Sequence, residues 1–192
     1  MDWRFYHGIY DVSLHHHWVG SLFNGIEKAS IPFMVVATIA LWFLARPGGD
    51  PKWKLAAGSG LGAAAVALVS NQVIHAIWDR PRPYETHQIS HPWSSATDAS
   101  FPSDHASASL AIAFAVVAFD PVAGVIFIVA AVLIAVGRVL IGAHYPGDIG
   151  ASLVVAAASA FLVVRFGRST IAVLVRFVER ATDPVLRPLW RR

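Results

Sequence analysis

Three short stretches of the 192-residue chain place ionisable side chains where chemistry could use them. Asp79-Arg80-Pro81-Arg82-Pro83-Tyr84 sets two arginines between prolines, which hold the chain extended and restrain the guanidiniums. Phe101-Pro102-Ser103-Asp104-His105 puts a hydroxyl, a carboxylate and an imidazole at the mouth of an apolar run. The third stretch runs from Arg138 to His144 and Asp148. An arginine fork matches phosphate oxygens in pairs and keeps its charge at any biological pH. Ser103 at a helix start offers a hydroxyl and nearby backbone N–H groups, which together seat an anion. Asp148 follows His144 by one helical turn, so its carboxylate can take the proton of one ring nitrogen and leave the other as a nucleophile. These residue types, converging, point to a phosphate-handling site.

The elements that must position them are membrane helices. The chain is 56% hydrophobic and 14% charged, with a mean hydropathy of +0.55 and no cysteine. Ordinary soluble domains carry about 25% charged residues. Here the charges crowd into connecting stretches and leave apolar runs at 29–45, 55–78, 106–119, 121–137 and 149–164. A span needs roughly 20 mostly apolar residues. The third run reaches that length from an N-cap at Ser103, and the fourth continues through Arg138, with Asp120-Pro121 as the break between them. Disorder, a disulfide scaffold and a nucleic-acid-binding domain are excluded or disfavoured by this pattern. The expected fold is all-α: a polytopic membrane helix bundle of about five spans, flanked by interfacial amphipathic helices at both ends. Residues 1–168 form one membrane domain, with an interfacial helix at 1–28 and spans near 29–45, 55–78, 103–119, 121–141 and 148–166. Residues 169–192 form a cytoplasmic amphipathic tail.

Ten of the fifteen bases lie in the 46–54 loop and beyond residue 164, so the positive-inside rule puts those segments in the cytoplasm. The pI near 9.6 is then a mark of topology and calls for no nucleic acid. All three candidate clusters fall on the opposite, outer face. Ionisable groups at membrane depth are expensive and functional by default.

The clusters resemble the signature of the type 2 phosphatidic acid phosphatase superfamily: lysine-x6-Arg-Pro, Pro-Ser-Gly-His and Ser-Arg-x5-His-x3-Asp. The third matches at Arg138, His144 and Asp148, with Gly137 in place of serine; the second at Pro102, Ser103 and His105, with Asp104 in place of glycine; the first at Arg82-Pro83, with His75 at the lysine position. The resemblance spans roughly residues 1–166. It implies that His144 is the nucleophile of a phosphohistidine intermediate and that Asp148 supports it. His105 would protonate the leaving oxygen and then serve as base for water. Arg82, Arg138 and Ser103 would hold the phosphoryl oxygens, with His75 and Asp104 as further candidates for phosphate binding. No metal or other cofactor is implied.

The wording around Arg82 and His105 is similar to the bacterial branch that hydrolyses undecaprenyl or decaprenyl diphosphate, the cell-wall carrier lipid. The implied setting is the bacterial plasma membrane, with the site outside, membrane lipids as surroundings and further copies of the chain as partners left open. Phosphatidylglycerophosphate, phosphatidic acid and other phosphorylated prenyl lipids stand as alternative substrates. A transporter that binds such a lipid without cleaving it is the alternative of another class, but it has no need of His144 and Asp148 beside His105. A vanadate haloperoxidase shares the motifs, although the spans argue against it.

Other features read as structural. Gly58-x-Gly60-x-Gly62 lies inside an apolar run and suits helix packing. His15-His16-His17 point in different directions around a helix and read as interfacial. His87 and His91 are spaced by one turn, but prolines and serines follow and no carboxylate completes a zinc site. Arg80 reads as a lipid-headgroup contact rather than a member of the site.

Overall fold

The computed structural model describes residues 2–89, 93–94 and 96–190. Among them the chain is all-α: α1 (Asp2–His15), α2 (His17–Leu44), α3 (Lys52–Ile77), the single turn α4 (Pro83–Thr86), α5 (Asp104–Val117), α6 (Pro121–Leu140), α7 (Pro146–Arg165) and α8 (Arg168–Leu186), closed by a 3-10 turn. His91 lies outside the described residues.

Four helices, α2, α3, α6 and α7, are long and apolar enough to cross a membrane by length and composition. The fifth expected span, α5, has only 14 residues, about 21 Å at 1.5 Å per residue. It works as the centre of the bundle, packed against α2, α3, α6 and α7. Its alanines 106, 108, 111, 113 and 115 are all buried, and such small side chains let the surrounding backbones close in. Gly60 meets Ile112 of α5, while Gly58 and Gly62 admit Ile171 of α8, so this glycine series is a packing surface. The α5–α6 turn is equally tight. A Cβ on Gly124 would stand 2.2 Å from the Val117 side chain, and Asp120 caps α6 by accepting from the Val122 and Ala123 N–H groups.

The N-terminal segment divides differently from the expected interfacial helix over 1–28. The chain breaks at His16, and α2 starts at His17 rather than Ala29. Only α1 is a separate helix, and it packs where α6 ends and α7 begins. Its Tyr6 and Tyr10 are buried with Tyr145 and Val139, and Ser13 Oγ donates to the Leu140 carbonyl at 2.6 Å. Phe5 and Trp18 stay exposed.

At the opposite end, Lys54 is 1% exposed yet carries an ammonium. It bonds Asp183 at 2.7 Å and Glu179 at 3.0 Å, and so pins α8 onto α3. Lys52 and the Trp53 indole N–H both reach Asp120 at the same end. The 46–54 loop, the α5–α6 turn and α8 therefore share one end of the bundle. The connection from α3 to α5 and the turn from α6 to α7 share the other, beneath α1.

Candidate active site

The turn from α6 to α7 explains the spacing of the third cluster. Gly142 takes φ +80, a left-handed conformation open to glycine, and reverses the chain as α6 ends. The N–H groups of Ala143 and His144 then bond back to the Arg138 carbonyl at 3.0 and 3.2 Å. His144 is thereby folded against Arg138's own side chain. Pro146 opens α7, and Asp148 sits in its first turn, accepting the Tyr145 N–H at 2.9 Å. The other two clusters reach the same place. Arg82 arrives on the extended segment before α4, and Ser103 caps α5, with the Ala106 N–H facing its Oγ at 3.5 Å.

His144 is 1% exposed and bonded at both ring nitrogens. Nε2 lies 3.2 Å from Arg82 Nη1 and 3.1 Å from Arg138 Nη2. A guanidinium only donates, so Nε2 must present its lone pair to both. The ring proton is then on Nδ1, which donates to the Ser100 carbonyl at 2.7 Å. Burial pushes the imidazole pKa down to about 4; Asp148 opposes that shift, and the two arginine charges reinforce it. The ring is neutral at neutral pH, with its lone pair aimed between two cations.

Asp148 does not hold His144 directly. Its Oδ2 is 3.6 Å from Nδ1 and instead accepts the Ser100 hydroxyl at 2.6 Å. Ser100 thus stands between them, its carbonyl on the ring and its hydroxyl on the carboxylate. The other oxygen, Oδ1, accepts from Arg80 at 2.6 Å. Arg80 continues to Asp2 of α1 at 2.7 Å and lies over the Tyr145 ring. Burial works against this guanidinium's charge, but the Asp2 hydrogen bond and the Asp148 charge outweigh it. Arg80, read from the sequence as a headgroup contact, is an ion-paired strut behind the site.

A cavity of about 120 Å³ opens in front of Nε2, walled by Arg82, Arg138, His144, His105, Asp104, Asp98 and Glu27 among others. Four of the sequence candidates, Arg82, His105, Arg138 and His144, therefore meet there with Asp104, and Asp148 lies directly behind. His105, in the first turn of α5, has Nε2 3.8 Å from Glu27 Oε1. Asp104 leans toward α3, accepting from the Asn71 amide at 2.7 Å and from Gln72 at 3.3 Å. Ser103 is fully buried behind the wall, its N–H donating to Ser152 Oγ at 2.9 Å. His75 stands apart too: its Nε2–H donates to the Pro102 carbonyl at 3.0 Å, which supports the loop and leaves the cavity wall without it. No cluster of three metal-binding side chains occurs among the described residues.

Sequence reasoning missed Ser100, Asp98 and Glu27. Asp98 accepts from Arg82 Nη2 at 2.9 Å; burial alone would raise its carboxyl, but the Arg82 charge and hydrogen bonds hold it below the usual carboxylate range. Glu27 accepts from Arg138 Nη1. Ser100 and Asp98 border the second cluster, and that adjacency was their only signal. Glu27 sits alone, more than fifty residues from any cluster, and gave none.

Known proteins resemble this chain in sequence and in fold. Residues 55–171 match the sequence profile of the PAP2 superfamily. Undecaprenyl-diphosphatase BcrC of Bacillus subtilis (strain 168) is 30% identical over 182 residues, which cover 93% of this chain and 92% of that protein. The fold is similar to that of Aquifex aeolicus LpxE, with TM-score 0.72 and 16% identity over 85% of this chain and 94% of the other. It is also similar to a transmembrane PAP2-type phosphatidylglycerolphosphate phosphatase from Bacillus subtilis, with TM-score 0.62 and 21% identity over 85% of each chain. The family profile covers more than half of the chain, and the apolar helices supply the membrane setting: the chain belongs to the PAP2 superfamily, as a multi-pass membrane phosphatase.

Proposed function

We propose that the protein hydrolyses a polyprenyl diphosphate, undecaprenyl or decaprenyl, to the monophosphate and inorganic phosphate. The observation that carries this reading is the His144 ring, with its Nδ1–H fixed on Ser100 and its Nε2 lone pair between Arg82 and Arg138. The terminal phosphoryl group enters the cavity, and its oxygens take the guanidinium donors that Nε2 now shares. Nε2 attacks phosphorus, the bond to the bridging oxygen breaks, and prenyl monophosphate leaves with a proton from His105. The N–P bond formed is a phosphohistidine. His105, now neutral, takes a proton from water as that water attacks phosphorus. The N–P bond breaks, inorganic phosphate departs, and Nε2 recovers its lone pair. Charge shifts among the phosphoryl oxygens throughout, and the arginines are already placed to meet it.

The choice of substrate rests on similarity to the undecaprenyl-diphosphatase relative, which extends over nearly the whole chain. The sidedness rests on charge. Bases crowd the end that carries α8 and the 46–54 loop, so the positive-inside rule puts that end, and the C-terminus, in the cytoplasm of a bacterial cell. The site then faces outward, where a spent carrier lipid of cell-wall synthesis is released. Ser103 and Asp104 shape the start of α5 around the phosphoryl group, and His75 braces the Pro102 carbonyl in place of a charged contact.

The test is phosphate release by the purified protein from undecaprenyl diphosphate, phosphatidylglycerophosphate and phosphatidic acid in parallel, each repeated with His144→Ala. The proposal expects the diphosphate to be preferred and His144→Ala to abolish release. A preference for either glycerolipid refutes the substrate, and an active His144→Ala protein refutes the mechanism.

A further inference from the structure

For a site meant to take an anion, the cavity is short of free positive charge. Its two guanidiniums face three carboxylates: Glu27, Asp98 and Asp104. Asp104 is occupied by the Asn71 and Gln72 amides. The other two each neutralise one arginine, Asp98 on Arg82 and Glu27 on Arg138.

These two pairs differ in what else supports the arginine. Arg82 is also held by backbone, donating from Nε to the Asp98 carbonyl at 2.9 Å and from Nη1 to the Ala143 carbonyl at 3.0 Å. Losing the Asp98 carboxylate would leave it in place. Arg138 has no backbone acceptor for its guanidinium among the described residues. It has Glu27, the His144 lone pair, and a buried Nε with no hydrogen-bond partner there. A cation 3% exposed cannot stand without a counter-anion. Glu27 is the only carboxylate paired with it among the described residues, and its side chain, on the cavity wall, is 22% exposed where that of Arg138 is 3% exposed. The same Oε1 lies 3.8 Å from His105 Nε2, so a second cationic partner is within a rotamer's reach.

We infer that Glu27 is an internal stand-in for the phosphoryl group: it occupies Arg138 in the empty site, is displaced by the substrate, and then turns to His105. This rests on the phosphatase reading above and adds a function for a residue that reading does not use. Two consequences follow from the placement. Glu27 competes with every phosphate that enters, including the inorganic phosphate product, and so speeds its release. While displaced, its charge beside His105 favours the protonated ring, the form that donates to the leaving oxygen and the form produced when water is deprotonated.

The test compares wild type, Glu27→Gln and Glu27→Asp for inhibition by inorganic phosphate and orthovanadate, and for thermal stabilisation by the same two anions. Glu27→Gln keeps the shape and removes the competing charge. The inhibition constants should fall at least on the order of tenfold. One charge removed about 5 Å from the bound anion counts for about that much even at an effective dielectric of roughly 50, and for more at the roughly 20 usual near a protein surface. kcat should fall as well, because both product release and His105 lose their partner. Glu27→Asp, with its shorter reach to Arg138, should bind the anions with intermediate strength. A purely structural Glu27 gives the opposite sign: Arg138 loosens and both anions bind more weakly. Unchanged or weaker anion binding in Glu27→Gln overturns the inference. If that variant cannot be purified, Glu27→Asp decides alone, with binding no tighter than wild type counting against it. A wild-type protein that neither binds phosphate nor releases it would instead overturn the phosphatase reading itself.

Discussion

Arg80 offers a quantitative test of how the site is held. Arg80→Met keeps the length and apolar stem of the side chain and deletes its charge. Asp148 then loses the only donor to Oδ1 among the described residues, while Oδ2 keeps the Ser100 hydroxyl and the Tyr145 N–H. Removing one partner of a fully buried pair costs about 3–5 kcal/mol. Asp148 is fully buried but Arg80 is 23% exposed, so screening reduces the figure to about 2–3 kcal/mol. If all of it appeared in the transition state, kcat/KM would fall roughly 30- to 150-fold. If all of it appeared in folding, the melting temperature would drop on the order of 5–10 °C for a chain of this size. Phosphate release and thermal unfolding, measured together in one detergent, should account for the sum. Arg80→Lys should recover part of the loss, because an ammonium reaches one carboxylate but not both Asp148 and Asp2. Asp2→Asn removes only the outer, partly exposed link and should cost no more than about 1 kcal/mol. Wild-type kinetics and melting in Arg80→Met would refute the strut.

Three further outcomes follow from the same geometry. Ser100→Ala keeps the carbonyl that holds the His144 Nδ1–H but removes the hydroxyl on Asp148; kcat should fall about tenfold or more with KM little changed, and an unchanged kcat in steady-state assays would count against the relay. The folded pKa of His144, about 4, lies below the ordinary unfolded value near 6.5, so its contribution to stability is present above about pH 6.5 and is lost as pH falls toward 4. Thermal unfolding against pH should show that loss in wild type and a flatter profile in His144→Gln. Lys54→Met strands Glu179 and Asp183 at the far end, which should release α8 and quicken tryptic cleavage at Arg176 and Arg180 about tenfold while kcat stays near wild type.

The sequence made the membrane bundle legible because charge is so unevenly spread along it, and apolar runs of spanning length have few other uses. The site was legible for a related reason: where ionisable groups are scarce, Arg82, His105, Arg138, His144 and Asp148 stand out. The places where reading and structure part have identifiable physical causes. α5 is shorter than a span because the Ser103 cap and the Asp120-Pro121 turn bound it, and burial at the bundle centre, rather than contact with lipid, accounts for its many alanines. α2 begins before the apolar run because a helix continues through Asn24, Glu27 and Lys28 once Arg138 takes Glu27. The Ser100 relay was invisible because the group on His144 is a backbone carbonyl, which leaves no mark on residue type. Lys54 looked like one more cytoplasmic base, and only the packing of α8 shows it to be buried. Arg80 and Arg82 have nearly the same local sequence context, Arg-Pro twice over, and the chain's path alone sends one to the front of His144 and the other behind Asp148.

The central claim, that His144 Nε2 is the nucleophile, is tested most directly by rapid quench of the His105→Ala protein with a prenyl diphosphate radiolabelled in its terminal phosphoryl group. His105 serves both steps, but prenyl monophosphate is a good leaving group that needs its proton less than the attacking water needs a base. Losing His105 therefore slows the second step more, and the covalent species accumulates. The account predicts an acid-labile label, stable to base, that maps to His144 and is absent from the His105→Ala, His144→Ala double variant. Turnover by His105→Ala with no label on the protein at any time, or label on another residue, would contradict it.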